Sequence, residues 1–374
     1  MNETLYGRLP DGREVKQFTV NNDRGLSLSV TDYGATVTDC IVPDRDGRPT
    51  NVVLGYGSLD GYVAGGGFFG ATVGRIAGRL KGAAFEIDGT RYELAAGEAA
   101  DRPDGGNHLH GGNVGFDKRL WTAEEPVSSA AAPDPGRSVR LRYLSSDGEE
   151  GYPGNLEVIV TFTVPSGANV VRIDYEARTD KATPFSPTNH SYFNLGGDDV
   201  ASIEDHLLRI HADYYTPTDE TMTHLGIVDA VDGTGADLRH ERRIGEIMPG
   251  LLQQHGDNYL LRPPPTRANV EAAGLGPESP SRPEPRPVAR ATSPESGIQM
   301  TVATNAACLQ FFGGRYIQGK PPARTGRDYG PFAGFCFECQ EYPDGTNHPE
   351  ICDIILRPGE VYRQRTEWRF AVQQ

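Results

Sequence analysis

"NLEVIVTFTVPSGANVVRIDYEART", residues 155–179, consists of two alternating runs joined by a turn. Leu156, Val158, Val160, Phe162 and Val164 take every second place in the first run, and Val171, Ile173, Tyr175 and Ala177 do so in the second. A period of two puts these side chains on one face of an extended chain. Pro165-Ser166-Gly167 supplies the reversal between the runs. The stretch therefore reads as a hairpin with one greasy face, and such a face needs a second sheet to cover it. The same grammar recurs in "LSLSVTDYGATVTDCIVP" (26–43), "AAFEIDGTRYEL" (83–94), "SVRLRYLSS" (138–146) and "ICDIILRPGEVYRQRTEWRF" (351–370), with Asp46-Gly47, Asp88-Gly89 and Asp147-Gly148 as further turns. Helical periodicity is confined to a short candidate near 241–254. The pattern predicts an all-β chain folded as a large antiparallel sandwich with few short helices.

Composition narrows the class. Glycine, at 46 of 374 residues, is about 12% of the chain against an average of about 7%, as many reversals of direction require. A net charge of −15 without a basic run disfavours nucleic acid as a partner. No apolar stretch is long enough for a membrane helix and the N-terminus has no signal-like core, so a cytoplasmic protein without a membrane partner is expected. The five cysteines are scattered singly, which fits a reducing compartment better than a disulfide framework. Cys336 and Cys339 form a C-x-x-C, but on a strand their thiols point to opposite faces.

No shift in composition marks a domain boundary, so residues 1–374 read as one domain with two flexible insertions. These are 124–137 and 262–297, both without aromatics, the second carrying nine prolines. A Pro-rich docking ligand is the functional alternative for the second insertion.

Residues of catalytic type collect in glycine-punctuated places. In "GFCFECQEYPDGTNHPE" (334–350), Phe335, Phe337 and Cys339 alternate with Cys336, Glu338 and Gln340. Glu338 thus interrupts a strand where Thr, Val or Tyr would be preferred. It is either a solvated surface residue or a base aimed into a cleft. "NHLHGG" (107–112) offers His108 and His110, and "TPFSPTNHSYFNLGG" (183–197) offers His190. "VDGTGADLR" (231–239) offers Asp237, and "GRIAGRL" (74–80) offers Arg75 and Arg79. The H-x-H pair lacks the carboxylate that a cupin-type metal site adds a few residues on, so no metal is expected. Each residue alone has an ordinary structural explanation. Together, in aromatic and amide-rich surroundings without a nucleophile motif, they suit carbohydrate chemistry.

Six motifs in order give the chain a resemblance to the aldose 1-epimerase (galactose mutarotase) family: "FFGATVGRIAGRLKGAAFEIDGTRYEL", "NHLHGGNVGFDKRLW", "EGYPGNLEV", "TNHSYFNLGG", "VDGTGADLR" and "GFCFECQEYPDGTNHP" with "ILRPGEVY". The resemblance spans roughly residues 5–371. It implies a galactose mutarotase-like supersandwich, a free aldohexose such as glucose or galactose as substrate, and no cofactor; monomer and homodimer both stay open. Carried over, the general base falls on Glu338 and the general acid on His190. Sugar-binding roles fall on Arg79 with Gly78 before it, on His110 rather than His108, and on Tyr192, Asp237 and Gln310. The chain departs from the family where "GDNYLL" (256–261) lacks a histidine after Asp257, and where "ATNAACLQFFGGR" (303–315) replaces a Gln-Pro-Gly turn.

The chemistry implied is ring opening and reclosure. Glu338 takes the proton of the C1 hydroxyl while His190 delivers one to the ring oxygen. The aldehyde then rotates and the roles reverse. The alternatives are a hexose-6-phosphate mutarotase with a basic pocket using Arg75 or Arg315, a glycosidase pairing Asp237 with Glu338, and a sugar-binding sandwich without activity.

Overall fold

The structure is a computed structural model that describes residues 1–96, 106–124, 137–251, 257–262, 283–317, 323–326 and 328–373. The hairpin expected over 155–179 forms. Leu156–Val164 pairs with Val170–Thr179 in antiparallel register, Leu156 opposite Thr179 and Thr163 opposite Arg172. Every second residue of both strands is buried, as the alternation requires.

This hairpin lies inside a nine-stranded antiparallel sheet. Its order is Thr122–Glu124, Arg137–Ser145, Leu156–Val164, Val170–Thr179, Tyr362–Val372, Ile298–Thr304, Arg286–Thr292, Leu207–Ile210 and Arg242–Arg243. The C-terminal strand thus joins the two halves of the sheet. A six-stranded sheet runs Tyr192–Phe193, Phe335–Gln340, Cys308–Phe312, Asp257–Leu260, Tyr214–Thr216, Asp229–Ala230. A five-stranded sheet holds residues 2–51. The core forms where they face one another: Val158, Val160, Phe162, Ile173, Met300 and Trp368 meet Leu309, Phe311, Phe335 and Phe337, with Val20, Leu28 and Val30 closing one side. Phe193 presents its ring edge-on to Trp368 at 4.9 Å. Burying an aromatic of this kind contributes about 1.5–3 kcal/mol.

Among the described residues the α-helices are Leu59–Ala64 and Ile244–Leu251, the second where the short helical candidate was expected. Neither is long and apolar enough to cross a membrane.

One expectation needs correcting. The segment 262–297 is not a flexible insertion along its whole length, because Arg286–Thr292 is an interior strand of the nine-stranded sheet with Val288, Ala289 and Ala291 buried. The small apolar residues decide its fate. Pro287 sits at a register irregularity, where a missing N–H does least harm to the ladder. Residues 125–136 and 263–282 of the two expected insertions lie outside the described residues.

Candidate active site

The outward face of the six-stranded sheet forms the floor of a cleft of about 280 Å³. Phe335–Gln340 pairs with Cys308–Phe312 so that Glu338 lies opposite Gln310. Phe335, Phe337 and Cys339 turn to the core, and Glu338 turns to the cleft. Both faces of this strand are covered, and Glu338 is only 4% exposed. Its Oε2 has no hydrogen-bond partner among the described residues. Burial raises its pKa above the ordinary carboxylate value, against a smaller opposing pull from His190 and Arg79.

His190 reaches the floor from a clamped turn. Its N–H donates to the Ala71 carbonyl at 2.8 Å, and its own carbonyl accepts from Gly70 N–H at 3.1 Å. Asn189 Nδ2 donates to Gly70 O at 2.8 Å, and Asn189 Oδ1 accepts from the Ser191 hydroxyl at 2.6 Å. The Asn-His-Ser run therefore fixes the imidazole. Nε2 of His190 stands 3.7 Å from Glu338 Oε1, and Nδ1 stands 3.6 Å from Cys336 Sγ. Burial holds the Cys336 thiol well above its usual pKa, so it stays protonated.

His110 arrives on a different loop, with φ at +49°. Gly78 holds it twice: His110 N–H donates to Gly78 O at 3.0 Å, and Gly78 N–H donates to His110 Nδ1 at 3.1 Å. An accepting Nδ1 leaves the proton of the neutral ring on Nε2. Burial, with help from His190 and Arg79, pushes the pKa of His110 well down, so the ring is neutral. Gly78 has φ at +76°, and a Cβ there would lie 2.7 Å from Pro343. The next residue, Arg79, pairs with Leu109 on a two-residue strand and carries its charge into the cleft.

His110, His190 and Glu338 bring their ligand-type atoms within 4.8 Å of one another, a composition that also suits a metal. The tautomer of His110 argues against that use. A metal-bound imidazole donates its second N–H to a neighbour, whereas here Gly78 N–H points at that nitrogen.

Most residues expected at the site meet in this cleft: Glu338, His190, His110, Arg79, Gly78, Tyr192 and Gln310 all line it. His108 does not; it is buried with Nδ1 on Ala95 O at 2.7 Å and Nε2 on the Tyr152 hydroxyl at 2.6 Å. Asp237 is a correction. It lies off the cleft, where Arg239 two residues on grips both its oxygens at 2.9 and 2.7 Å and holds its pKa down to about 2. The turn captured the carboxylate before any sugar site could use it.

Arg75 also stays away. Its guanidinium is buried and donates to Ser145, Ser146, Pro153, Gly154 and Thr183. Arg315 is exposed and lies over the Tyr316 ring.

No local pattern pointed to Phe68, Thr218, Met222 or His224, which also line the walls. Phe68 packs its ring 4.7 Å from His110 and 5.7 Å from His190. It sits in a run of glycines without periodicity. Phe312 was legible in principle, since it shares a strand face with Gln310.

Comparison with known proteins points the same way. The sequence profile of aldose 1-epimerase matches residues 16–369. Galactose mutarotase from Rattus norvegicus is 36% identical over 371 residues, covering 99% of this chain and 98% of its own. Aldose 1-epimerase from Escherichia coli K12 is 32% identical, covering 96% of each chain. Among solved structures, galactose 1-epimerase from Lactobacillus acidophilus superposes with a TM-score of 0.78 at 27% identity, covering 100% of this chain and 99% of its own. An aldose epimerase homologue from C. elegans superposes at 0.80 with 24% identity, over 96% and 99%. The motifs, the sandwich and these full-length likenesses agree: the chain belongs to the aldose 1-epimerase family.

Proposed function

We infer that the protein interconverts the α and β anomers of free aldohexoses, with Glu338 as base and His190 as acid. The observation that carries this is their juxtaposition: a buried carboxylate, one oxygen unpartnered among the described residues, 3.7 Å from an imidazole nitrogen. The C1 hydroxyl and the ring oxygen are bound to the same carbon, so the groups serving them must stand this close.

Glu338 starts ionised and takes the C1 hydroxyl proton as a protonated His190 gives its proton to the ring oxygen. The C1–O5 bond then breaks without a free oxyanion. Rotation about C1–C2 turns the aldehyde, and the same two groups, with their protons exchanged, close the ring on the other face. Burial strengthens Glu338 as a base. His110 Nε2–H and the Arg79 guanidinium supply donors for sugar oxygens, and Gln310 and Tyr192 supply mixed partners beside them.

The rivals lack parts. A retaining or inverting glycosidase needs two carboxylates across the scissile bond, and Glu338 is the one carboxylate among the described cleft residues. A pocket for a sugar phosphate would recruit further cations, yet Arg75 is spent on carbonyls. A mere binding sandwich has no use for an acid beside a buried base.

The experiment is polarimetry of freshly dissolved α-glucose and α-galactose. The protein should speed the approach to the equilibrium rotation of at least one of them. Rates equal to the buffer blank for both would sink the reading.

A further inference from the structure

His224 is part of the cleft wall without belonging to any motif. Its ring is buried, lines the cleft, and packs 5.2 Å from Tyr342. Nδ1 faces Thr216 alone, at 3.1 Å from the hydroxyl and 3.3 Å from the carbonyl. The Thr216 hydroxyl is itself fixed by Asn258 Nδ2 at 2.8 Å. That hydroxyl gives its own proton to the Asn258 carbonyl at 3.4 Å, and the Thr216 carbonyl can only accept, so Nδ1 carries the ring proton and Nε2 keeps its lone pair. Burial pushes the pKa of His224 down to about 4, and the ring is neutral at physiological pH.

The wall that carries it is tied by hydrogen bonds. Thr218 bridges His224, Leu225 N–H donates to Pro217 O at 3.0 Å, and Asp219 N–H donates to Thr223 O at 2.9 Å. Asp219 Oδ1 collects Thr221 N–H, the Thr221 hydroxyl and Thr223 N–H at 2.9, 2.6 and 3.2 Å. Asn107 ties the loop to the other side of the cleft, donating to the Thr223 hydroxyl at 2.6 Å and accepting from Gly82 N–H at 2.8 Å. A lone pair held this firmly is preorganised for a ligand.

The cleft also has a use for it. Arg79 can only donate, and its charge reaches Glu338, His110 and His224 alike. A sugar hydroxyl that accepts from Arg79 still has its own proton to place, and it needs an acceptor nearby. Glu338 is engaged at C1.

We propose that His224 is a specificity-determining residue whose Nε2 accepts a hydrogen bond from one hydroxyl of the aldose, other than the hydroxyl at C1. This rests on the mutarotase reading above. It makes His224 part of what distinguishes one hexose from another, because a hydroxyl of the wrong configuration leaves both partners unpaired.

The test is a double-mutant cycle between residue and substrate. Mutarotation of glucose and its 2-, 3-, 4- and 6-deoxy derivatives is followed by polarimetry for the wild type, His224→Leu and His224→Gln. A neutral hydrogen bond of ordinary strength predicts that His224→Leu raises KM for glucose by about three- to tenfold, with kcat close to the wild-type value. One deoxy sugar should lose the same factor with the wild type and lose nothing more with His224→Leu. His224→Gln, which keeps an acceptor, should recover part of the loss. A KM unmoved by His224→Leu would overturn the proposal, as would losses that add independently for every deoxy sugar. If His224→Leu does not fold, an unchanged KM and deoxy pattern in His224→Gln together with equal wild-type use of all four deoxy sugars overturns it instead. Wild-type protein without mutarotase activity would overturn the parent reading, a distinct outcome.

Discussion

Glu338 and Asp237 are both carboxylates in sugar-friendly sequence, and their surroundings assign them opposite fates. Glu338 is walled in by a strand, two imidazoles and Arg79, and its raised pKa means that protonation begins above the usual carboxylate range. With Glu338 as the proposed base, activity needs the ionised form, so turnover should fall as pH drops through that raised value, with a midpoint above 4.5; a midpoint at or below 4.5 would contradict the burial argument. Glu338→Gln keeps the shape and loses the base, and should lower kcat by about 10²–10⁴-fold. Asp237→Asn should leave mutarotation of glucose and galactose as it is, because Asp237 holds Arg239 and lies outside the cleft. A large rise in KM for either sugar would show that the turn releases its carboxylate to substrate. The strand pattern showed that Glu338 was out of place, whereas nothing local showed that Asp237 was already taken.

At the scale of elements, the site depends on short pieces locked edge to edge. The Gly78–His110 exchange is the clearest case, since one glycine supplies both a carbonyl and an N–H to a histidine 32 residues away. Gly78→Ala would place a Cβ against Pro343 at a positive φ, which costs about 1–2 kcal/mol for a residue other than glycine before any clash is counted. The expected result is a lower Tm together with weaker sugar binding, as the backbone shift that relieves the clash pulls the residue 78 N–H off His110 Nδ1 and frees the ring from its fixed tautomer. A Tm and KM both matching wild type would disprove the lock. The same scale explains the strand Arg286–Thr292, where Val288, Ala289 and Ala291 fill places between neighbours that proline content could not predict.

At the scale of the molecule, the sandwich buries several imidazoles in neutral form. His206, between Leu195 and Phe335, is pushed down to about 4 by burial, against an ordinary value of 6.5. As pH falls below 6.5 the unfolded chain takes up this proton and the folded chain does not. The stability is therefore complete above 6.5 and drains away toward 4. Asp32, pushed up to about 6 by burial, acts with the opposite sign in the same window, so the informative quantity is a difference between variants. Between pH 7 and pH 5, His206→Gln should lose less unfolding free energy than wild type by on the order of 2 kcal/mol. Urea unfolding at the two pH values checks this, and parallel losses would refute it.

Alternation and turn chemistry act between near neighbours, so the strands, their greasy faces and the short motifs that carry Glu338, His190, His110 and Arg79 are legible in the chain alone. Which faces meet is settled by folding, and with that the raised pKa of Glu338, the tautomer of His110, the loss of Asp237 to Arg239 and the entry of His224 into the cleft. The reason is range. A side chain's protonation and partners depend on desolvation and on groups brought close by strand register across tens to hundreds of residues, and no local pattern encodes that distance.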